Sequence, residues 1–274
     1  ENVMRIAVTG SEGYIGKNLI PFLTKNYYEI VEVDRKIGIE ADRIDYNFIL
    51  KNEIECIVHL AALSGIKACS DDLKQAYNDN ISTTMRIFSS AEQSKIPVIF
   101  TSSQAAKTPK ANYYALTKYM AECEAEKINR SPRSKINILR FTNIYGGIDY
   151  LETKSTVISK FVKAKRENKE IVINGNGLQK RDFIHISDIC AAIFNCLAWN
   201  IKLEKPIDIG TGEPTSIFEL AKIFDHKFTS DPKSDMIGTM MNVADIYDAK
   251  NLISFKSKIN LEEQIRKEYL NGNV

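Results

Sequence analysis

Three residues between positions 98 and 122 have the types and spacing needed to take a proton from an alcohol while hydride leaves its carbon: Ser103, Tyr114 and Lys118. Tyr114 and Lys118 are four apart in a stretch of helical pattern over 111–127, hence on one face about one turn apart. An unperturbed tyrosine, with a pKa near ~10, is too weak a base at neutral pH. A lysine ammonium beside it and a positively charged hydride-accepting ring nearby both favour the phenolate and lower that pKa. Ser103, just past a strand expected over 98–102, would hydrogen-bond the same substrate oxygen and fix its orientation. Tyr113 offers a competing register, but the residue four positions on is Thr117, which carries no charge. Tyr114 is therefore the expected base, the bland rival being a core tyrosine followed by a solvated lysine.

A base for hydride chemistry needs a hydride carrier, and the stretch 4–23, MRIAVTGSEGYIGKNLIPFL, is patterned to hold one. Arg5–Thr9 reads as a buried strand. Gly10, Gly13 and Gly16 follow, and Ile15, Leu19, Ile20 and Leu23 then recur at helical spacing. The glycines let backbone pass close to a pyrophosphate, and the orphan N–H groups of the helix start point at the anion. A second strand over 29–34 ends in Asp34, 18 residues after Gly16. A carboxylate there takes both hydroxyls of an adenosine ribose and repels a 2′-phosphate, which favours NAD over NADP. Arg35 and Lys36 come next and soften that preference.

These groups need elements to position them, and the first half of the chain alternates strand and helix. A buried strand is expected within 52–63, around CIVHLAA, a helix over 70–94, and a strand over Ile136–Phe141. Such repeats imply right-handed crossovers and an open parallel sheet with ligands at the carboxyl ends of its strands. In the second half, helices are expected over 155–166, 216–224 and 261–270, a loop over 146–152, and short strands over 170–173, 183–186 and 207–209, the last two returning to the sheet.

Composition narrows the classes. With 274 residues and 44% hydrophobic content the chain can bury a full core. A net charge of +2 with no long basic run argues against nucleic acid as the main partner. No apolar stretch suits a membrane span and the amino terminus is not signal-like. The five cysteines are scattered and never in a C-x-x-C pair, which suits reduced thiols in the cytoplasm. With three histidines besides, no metal is expected.

Taken together, these residues resemble the NAD-dependent epimerase/dehydratase family of nucleotide-sugar enzymes, within the extended short-chain dehydrogenase/reductases. The glycine spacing, Gly-x-x-Gly-x-x-Gly, is theirs. Also similar to the family's elements are His59-Leu60-Ala61-Ala62, Asp45-Tyr46, the NISTT of 80–84 with Thr83 in place of the usual glycine, RFTNIYG at 140–146, GNGLQKRDFIHISD at 175–188 and GTGE at 210–213. The resemblance implies an α/β fold: a Rossmann-type doubly wound parallel sheet over 1–147, and a smaller carboxyl-terminal substrate-binding lid over 148–274 with segments near 183–211 returning to the sheet. NAD would be held by Gly10, Gly13, Tyr14, Ile15, Gly16, Asp34, Arg35, Leu60, Ala61, Ala62, Asn80, Lys118 and Phe141. Asp45 would contact the adenine, with Tyr46 beside it.

On the substrate side, the resemblance implies that Asn143 contacts the sugar diphosphate, Thr156 and Val157 the nucleotide, and Val172 and Asn174 flank the base. Arg181 would pair with the diphosphate, which its planar guanidinium suits; a surface ion pair with Asp182 or Asp188 is its alternative, as turn-capping is for Asn143. Departures matter too. Gln104-Ala105 stands where the sugar 4,6-dehydratases carry an Asp-Glu pair, so dehydration is not expected. Lys107-Thr108 replaces Tyr-Gly, and residues 232–235 replace an arginine-bearing turn, with Lys233 as a substitute phosphate partner. The resulting expectation is 4-epimerisation of a nucleotide-linked hexose, UDP-linked by preference. The alternatives are net oxidation or reduction at the same carbon, with exchanging cofactor, and a non-catalytic dinucleotide sensor. A homodimer through the helices of 70–94 and 111–127 is also implied.

Overall fold

The computed structural model describes residues 3–232 and 240–271. Its centre is a six-stranded sheet made of β1 (Arg5–Thr9), β2 (Glu29–Val33), β3 (Cys56–His59), β4 (Val98–Ser103), β5 (Ile136–Phe141) and the strand Ile207–Ile209. In space the order is Ile207–Ile209, β5, β4, β3, β1, β2, and every pairing is parallel. Parallel strands covered on both faces bury every residue, as β3 does. Along β1, Ile6 and Val8 face one apolar core while Ala7 between them faces the other. Because β2 and β3 lie on opposite sides of β1, the order reverses there and opens a crevice at the carboxyl ends of β1 and β3.

The helix Tyr113–Ile128 packs on β4 and β5, its Ala121 and Ala125 sharing an apolar cluster with Val98, Phe100, Ile136 and Ile138. A buried charge pair sets its position. Glu122, 1% exposed, accepts two bonds from Arg140 Nε, at 2.9 and 3.2 Å, and one from its Nη2 at 2.5 Å. Ser102 Oγ donates to the same carboxylate at 2.5 Å, so helix, β4 and β5 meet at one group. The neutral His59 is likewise structural. Its two ring nitrogens lie 2.7 Å from Thr9 Oγ1 and 2.9 Å from Thr84 Oγ1, and burial pushes its pKa down to about 3.

The structure differs from expectation in three places. The single helix over 70–94 is broken into Ile66–Asp71, Leu73–Tyr77, a π-helical turn at Asn78–Thr83 and Thr84–Ser94. Asp72 caps the second piece, accepting from Gln75 N–H at 2.9 Å, and the wide turn buries the adjacent Asp79 and Asn80 together. Phe183–His185 does not return to the central sheet but pairs with Asn143–Tyr145 in a two-stranded parallel sheet. The chain leaves the main sheet after β5 because Thr142 N–H bonds Ile209 O and Asn143 N–H bonds Asp182 O. The loop over 146–152 contains part of a short helix, Tyr150–Thr153, closed by a Tyr150–Thr156 hydroxyl contact. Ile207–Ile209 does join the sheet, beside β5.

Removing one partner of a buried pair strands the other charge. Glu122→Ala is expected to lower unfolding free energy by about 3–5 kcal/mol, and replacing Glu122 and Arg140 together by leucine to recover most of it. Urea denaturation of the three proteins reads this out.

Candidate active site

The crevice is a cleft of about 710 Å³. Gly10, Gly13, Tyr14, Ile15 and Gly16 form one wall, Asp34 and Arg35 the end of β2, and Leu60, Ala61 and Ala62 the end of β3. The first helix, Tyr14–Lys25, starts at Gly13, so its unpaired N–H groups face the cleft. Gly10 has φ +69°, and a Cβ there would lie 2.9 Å from Ala61 N. One at Gly16 would lie 2.4 Å from Ser11 O. Side chains at either position would fill the turn that holds the helix start against β3. Ser11 Oγ is buried with no hydrogen-bond partner among the described residues. Glycine turn, free N–H groups and an acid at the end of β2 all fit the pyrophosphate and ribose of a dinucleotide.

Asp34 is already polarised. Its Oδ2 accepts Glu12 N–H at 3.1 Å and its Oδ1 accepts Lys36 N–H at 2.9 Å. Asp45 and Tyr46 stand outside the cleft lining: the Asp45 carboxylate accepts Phe48 N–H at 2.7 Å and caps the helix Tyr46–Lys51. Asp42, three residues earlier in the turn Ala41–Arg43, lines the cleft with Asp34, Glu40, Asp72 and Asp79. Asn80 also stands outside the lining and acts as a tie. It accepts Leu63 N–H at 2.7 Å and donates to Leu63 O and Thr117 Oγ1, each at 3.0 Å. Phe141 is buried and stands opposite Ser103 in the β4–β5 register.

Ser103 ends β4 and its Oγ accepts Ala105 N–H at 3.2 Å. The helix carrying Tyr114 and Lys118 is capped by Asn112, which accepts Ala115 N–H at 2.9 Å. Tyr113 is 43% exposed, so the competing register points to solvent. Burial raises the Tyr114 phenol above its ordinary value, and a hydrogen bond with Ser103 offsets part of that rise. Lys118, 5% exposed, donates to Thr101 O at 2.9 Å and lies 5.1 Å from the Phe100 ring centroid. Burial pushes its pKa down to about 8 against the opposing field of Glu122. Serine, tyrosine and lysine thus meet at the end of β4.

The substrate-side residues form a second group. Asn143 Nδ2 donates to Asp182 O at 3.2 Å. Thr156 caps the helix Val157–Arg166 in a reciprocal box with Ser159. Val172 and Asn174 are on the exposed face of the strand Ile171–Asn174. Arg181 is half-buried in a short strand between Thr215–Ser216 and Met241–Asn242, donating to Lys180 O at 2.8 Å. Its suggested partners are otherwise engaged. Asp182 accepts Thr211 N–H and Gly212 N–H at 2.9 Å, and Asp188 accepts Ser257 Oγ at 2.7 Å. Lys107 pairs with the buried Asp208 at the sheet edge. Lys233 lies outside the described residues. Sequence reasoning passed over Lys154, whose ammonium stands 5.3 Å from the Tyr14 ring centroid in the cleft wall. It lies in a polar stretch with no spacing to mark it.

The folded protein releases the Lys118 proton near pH 8, the unfolded chain near 10.5. Between those values the unfolded state holds the Lys118 proton and the folded state does not, so the contribution of Lys118 to stability rises with pH. Relative to Lys118→Met, which lacks this ionisation, the gain is expected to be about 3 kcal/mol across the interval. Denaturant midpoints of both proteins at its two ends check it.

A family model described as the NAD dependent epimerase/dehydratase family matches residues 6–210. The chain is similar to the UDP-glucose 4-epimerase of Mycoplasma genitalium, at 25% identity over 96% of this chain and 95% of that one. It is also similar to the human dTDP-D-glucose 4,6-dehydratase, at 26% over 80% and 72%. Among solved structures, UDP-glucuronic acid 4-epimerase from Bacillus cereus, in complex with UDP-glucuronic acid and NAD, superposes with a TM-score of 0.84 at 24% identity, covering 97% of this chain and 98% of that one. With a dinucleotide cleft, a Ser–Tyr–Lys site and a family match across most of its length, this chain belongs to the NAD dependent epimerase/dehydratase family.

Proposed function

We propose that the chain is an NAD-dependent nucleotide-sugar 4-epimerase of carbohydrate biosynthesis, with a UDP-hexose as favoured substrate and a transient 4-keto sugar. One observation carries the choice within the family. Gln104, buried at 6% exposure, and Ala105 follow Ser103 directly, and neither can protonate a departing hydroxyl. Elimination of water therefore lacks its acid, whereas epimerisation needs none.

NAD, when bound, would supply a hydride acceptor for carbon 4 that also serves as donor to the opposite face of the 4-keto sugar once it has turned over. Tyr114 removes the 4-hydroxyl proton on the outward step and gives it back on the return, so protons and electrons balance with no external reductant. Ser103 orients the oxygen. Lys118 holds the nicotinamide ribose and lowers the Tyr114 pKa against the effect of burial. The segment 148–274 serves mainly as the lid. In it Arg181 pairs with the sugar diphosphate, Asn143 and Thr156–Val157 approach sugar and nucleotide, and the exposed Val172 and Asn174 flank the base. Free, mostly buried cysteines support a cytoplasmic setting.

Denaturing the purified protein is expected to release NAD, and the native protein to convert UDP-glucose or UDP-N-acetylglucosamine to the galacto epimer without added cofactor. Sugar-dependent NADH formation by an initially empty protein would instead establish a 4-dehydrogenase. Tyr114→Phe is expected to slow turnover about 10²–10⁴-fold with bound NAD unchanged; unaltered behaviour would mark a sensor.

The chain assembles as a homodimer in this reading. Leu73, Tyr77 and Met85 on the broken helix, and Tyr119 and Met120 on the catalytic helix, are large apolar residues left exposed. Sedimentation at micromolar concentration is expected to give a dimer, and a monomer would overturn it.

A further inference from the structure

The acid end of β2 is followed by an arginine, a residue that elsewhere would welcome a 2′-phosphate. Here Arg35 is turned aside. Its Nη2 donates to Asp79 Oδ2 at 2.9 Å, and its Nε lies 3.6 Å from Glu40 Oε2. Arg35, Asp79 and Glu40 all line the cleft with Asp34. The Asp79 side chain is 11% exposed and that of Arg35 50%, so the carboxylate is the fixed partner and the guanidinium the movable one. Asp79 is fixed because it sits in the π-helical turn Asn78–Thr83, next to Asn80, which is bonded to Leu63 and Thr117. Gln75 and Asn78 also donate to it, each at 3.4 Å.

We propose that Asp79 is a cofactor-specificity residue: by holding Arg35 it withholds from the adenosine end of the cleft a guanidinium that would pair with a 2′-phosphate. The proposal rests on the reading of the cleft as a dinucleotide site. Asp34 repels the phosphate, and Asp79 engages the arginine of a cleft wall that also carries Lys36, itself donating to Glu12 O at 3.3 Å. Discrimination between NAD and NADP therefore involves an acid 45 positions beyond the strand end that ordinarily sets it. Replacing Asp79 by asparagine keeps the shape of the turn but leaves Arg35 with Glu40 alone, at the longer distance, free to swing to a phosphate.

The test is competitive. Purified protein is dialysed against excess NAD and NADP at equal concentration until the bound ratio is constant, then desalted, denatured, and the released dinucleotides quantified. Wild type is expected to release mostly NAD. Asp79→Asn is expected to raise the NADP-to-NAD ratio about tenfold, the size of one charge-assisted hydrogen bond to phosphate. Arg35→Ala in the Asp79→Asn background is expected to remove that gain, and Arg35→Ala alone to leave the wild-type ratio within about twofold, since the side chain is already engaged. An unchanged ratio in Asp79→Asn overturns the proposal, as does a gain that survives loss of Arg35, which would report only the removal of a negative charge. Should Asp79→Asn not fold, a large fall in the ratio for Arg35→Ala alone overturns it. Wild-type protein that retains neither dinucleotide overturns the reading of the cleft instead.

Discussion

The buried pair between Glu122 and Arg140 is the constraint on which the catalytic geometry depends. It lies one helical turn beyond Lys118 and joins the helix of Tyr114 to β5, while the Ser102 hydroxyl on the same carboxylate joins it to β4. Ser102 precedes Ser103, so the bond that fixes the helix also fixes the strand end that presents the serine. Two charges in a core are costly unless their geometry is good. Here the carboxylate has three donor atoms, and the network specifies how far the helix can slide along the strands.

Burial does opposite things to Tyr114 and Lys118, the proposed base and its partner. It raises the tyrosine phenol and lowers the lysine ammonium, each toward its uncharged form. Left to desolvation, the pair would be a poor base. The site becomes effective when positive charge enters beside the phenol, which is the service a cationic hydride acceptor provides. Cofactor binding and activation of the base are therefore linked through one electrostatic requirement.

The carboxyl-terminal part is held by a different device. Asp182, fully buried, accepts from Thr211, Gly212 and Ala244, and Asp188 accepts from Ser257, Lys258 and Ile259. These carboxylates take several donors from distant segments and so close loops that have little regular structure. At His185, hydrogen bonds from the imidazole and from Gln264 outweigh burial and hold the Glu268 carboxyl down at about 2, pinning the last helical segment against the same region. Arg181 and the exposed strand face of Val172 and Asn174 stand on this scaffold.

Much of this was legible along the chain. β1 and β5 have the bounds read from their apolar runs, and glycines at 10, 13 and 16, the acid at 34, and the Ser–Tyr–Lys spacing each announce a local geometry. Such signals work because strand period, helical spacing and glycine backbone freedom act over a few residues. Other features depended on partners far away in sequence. The break in the helix over 70–94 answers to Leu63 and Thr117, and the Asp45 carboxylate is taken up by the cap of Tyr46–Lys51. The strand Phe183–His185 follows Asn143–Tyr145 rather than the sheet, and the pairing of Arg35 with Asp79 joins residues 44 apart. The sequence by itself determined the class of fold and the chemistry of its reactive groups, since both reside in local pattern and residue type. Only the tertiary structure decided which buried acids and amides those groups meet, because a hydrogen bond or ion pair is chosen by proximity in space, which local pattern does not encode.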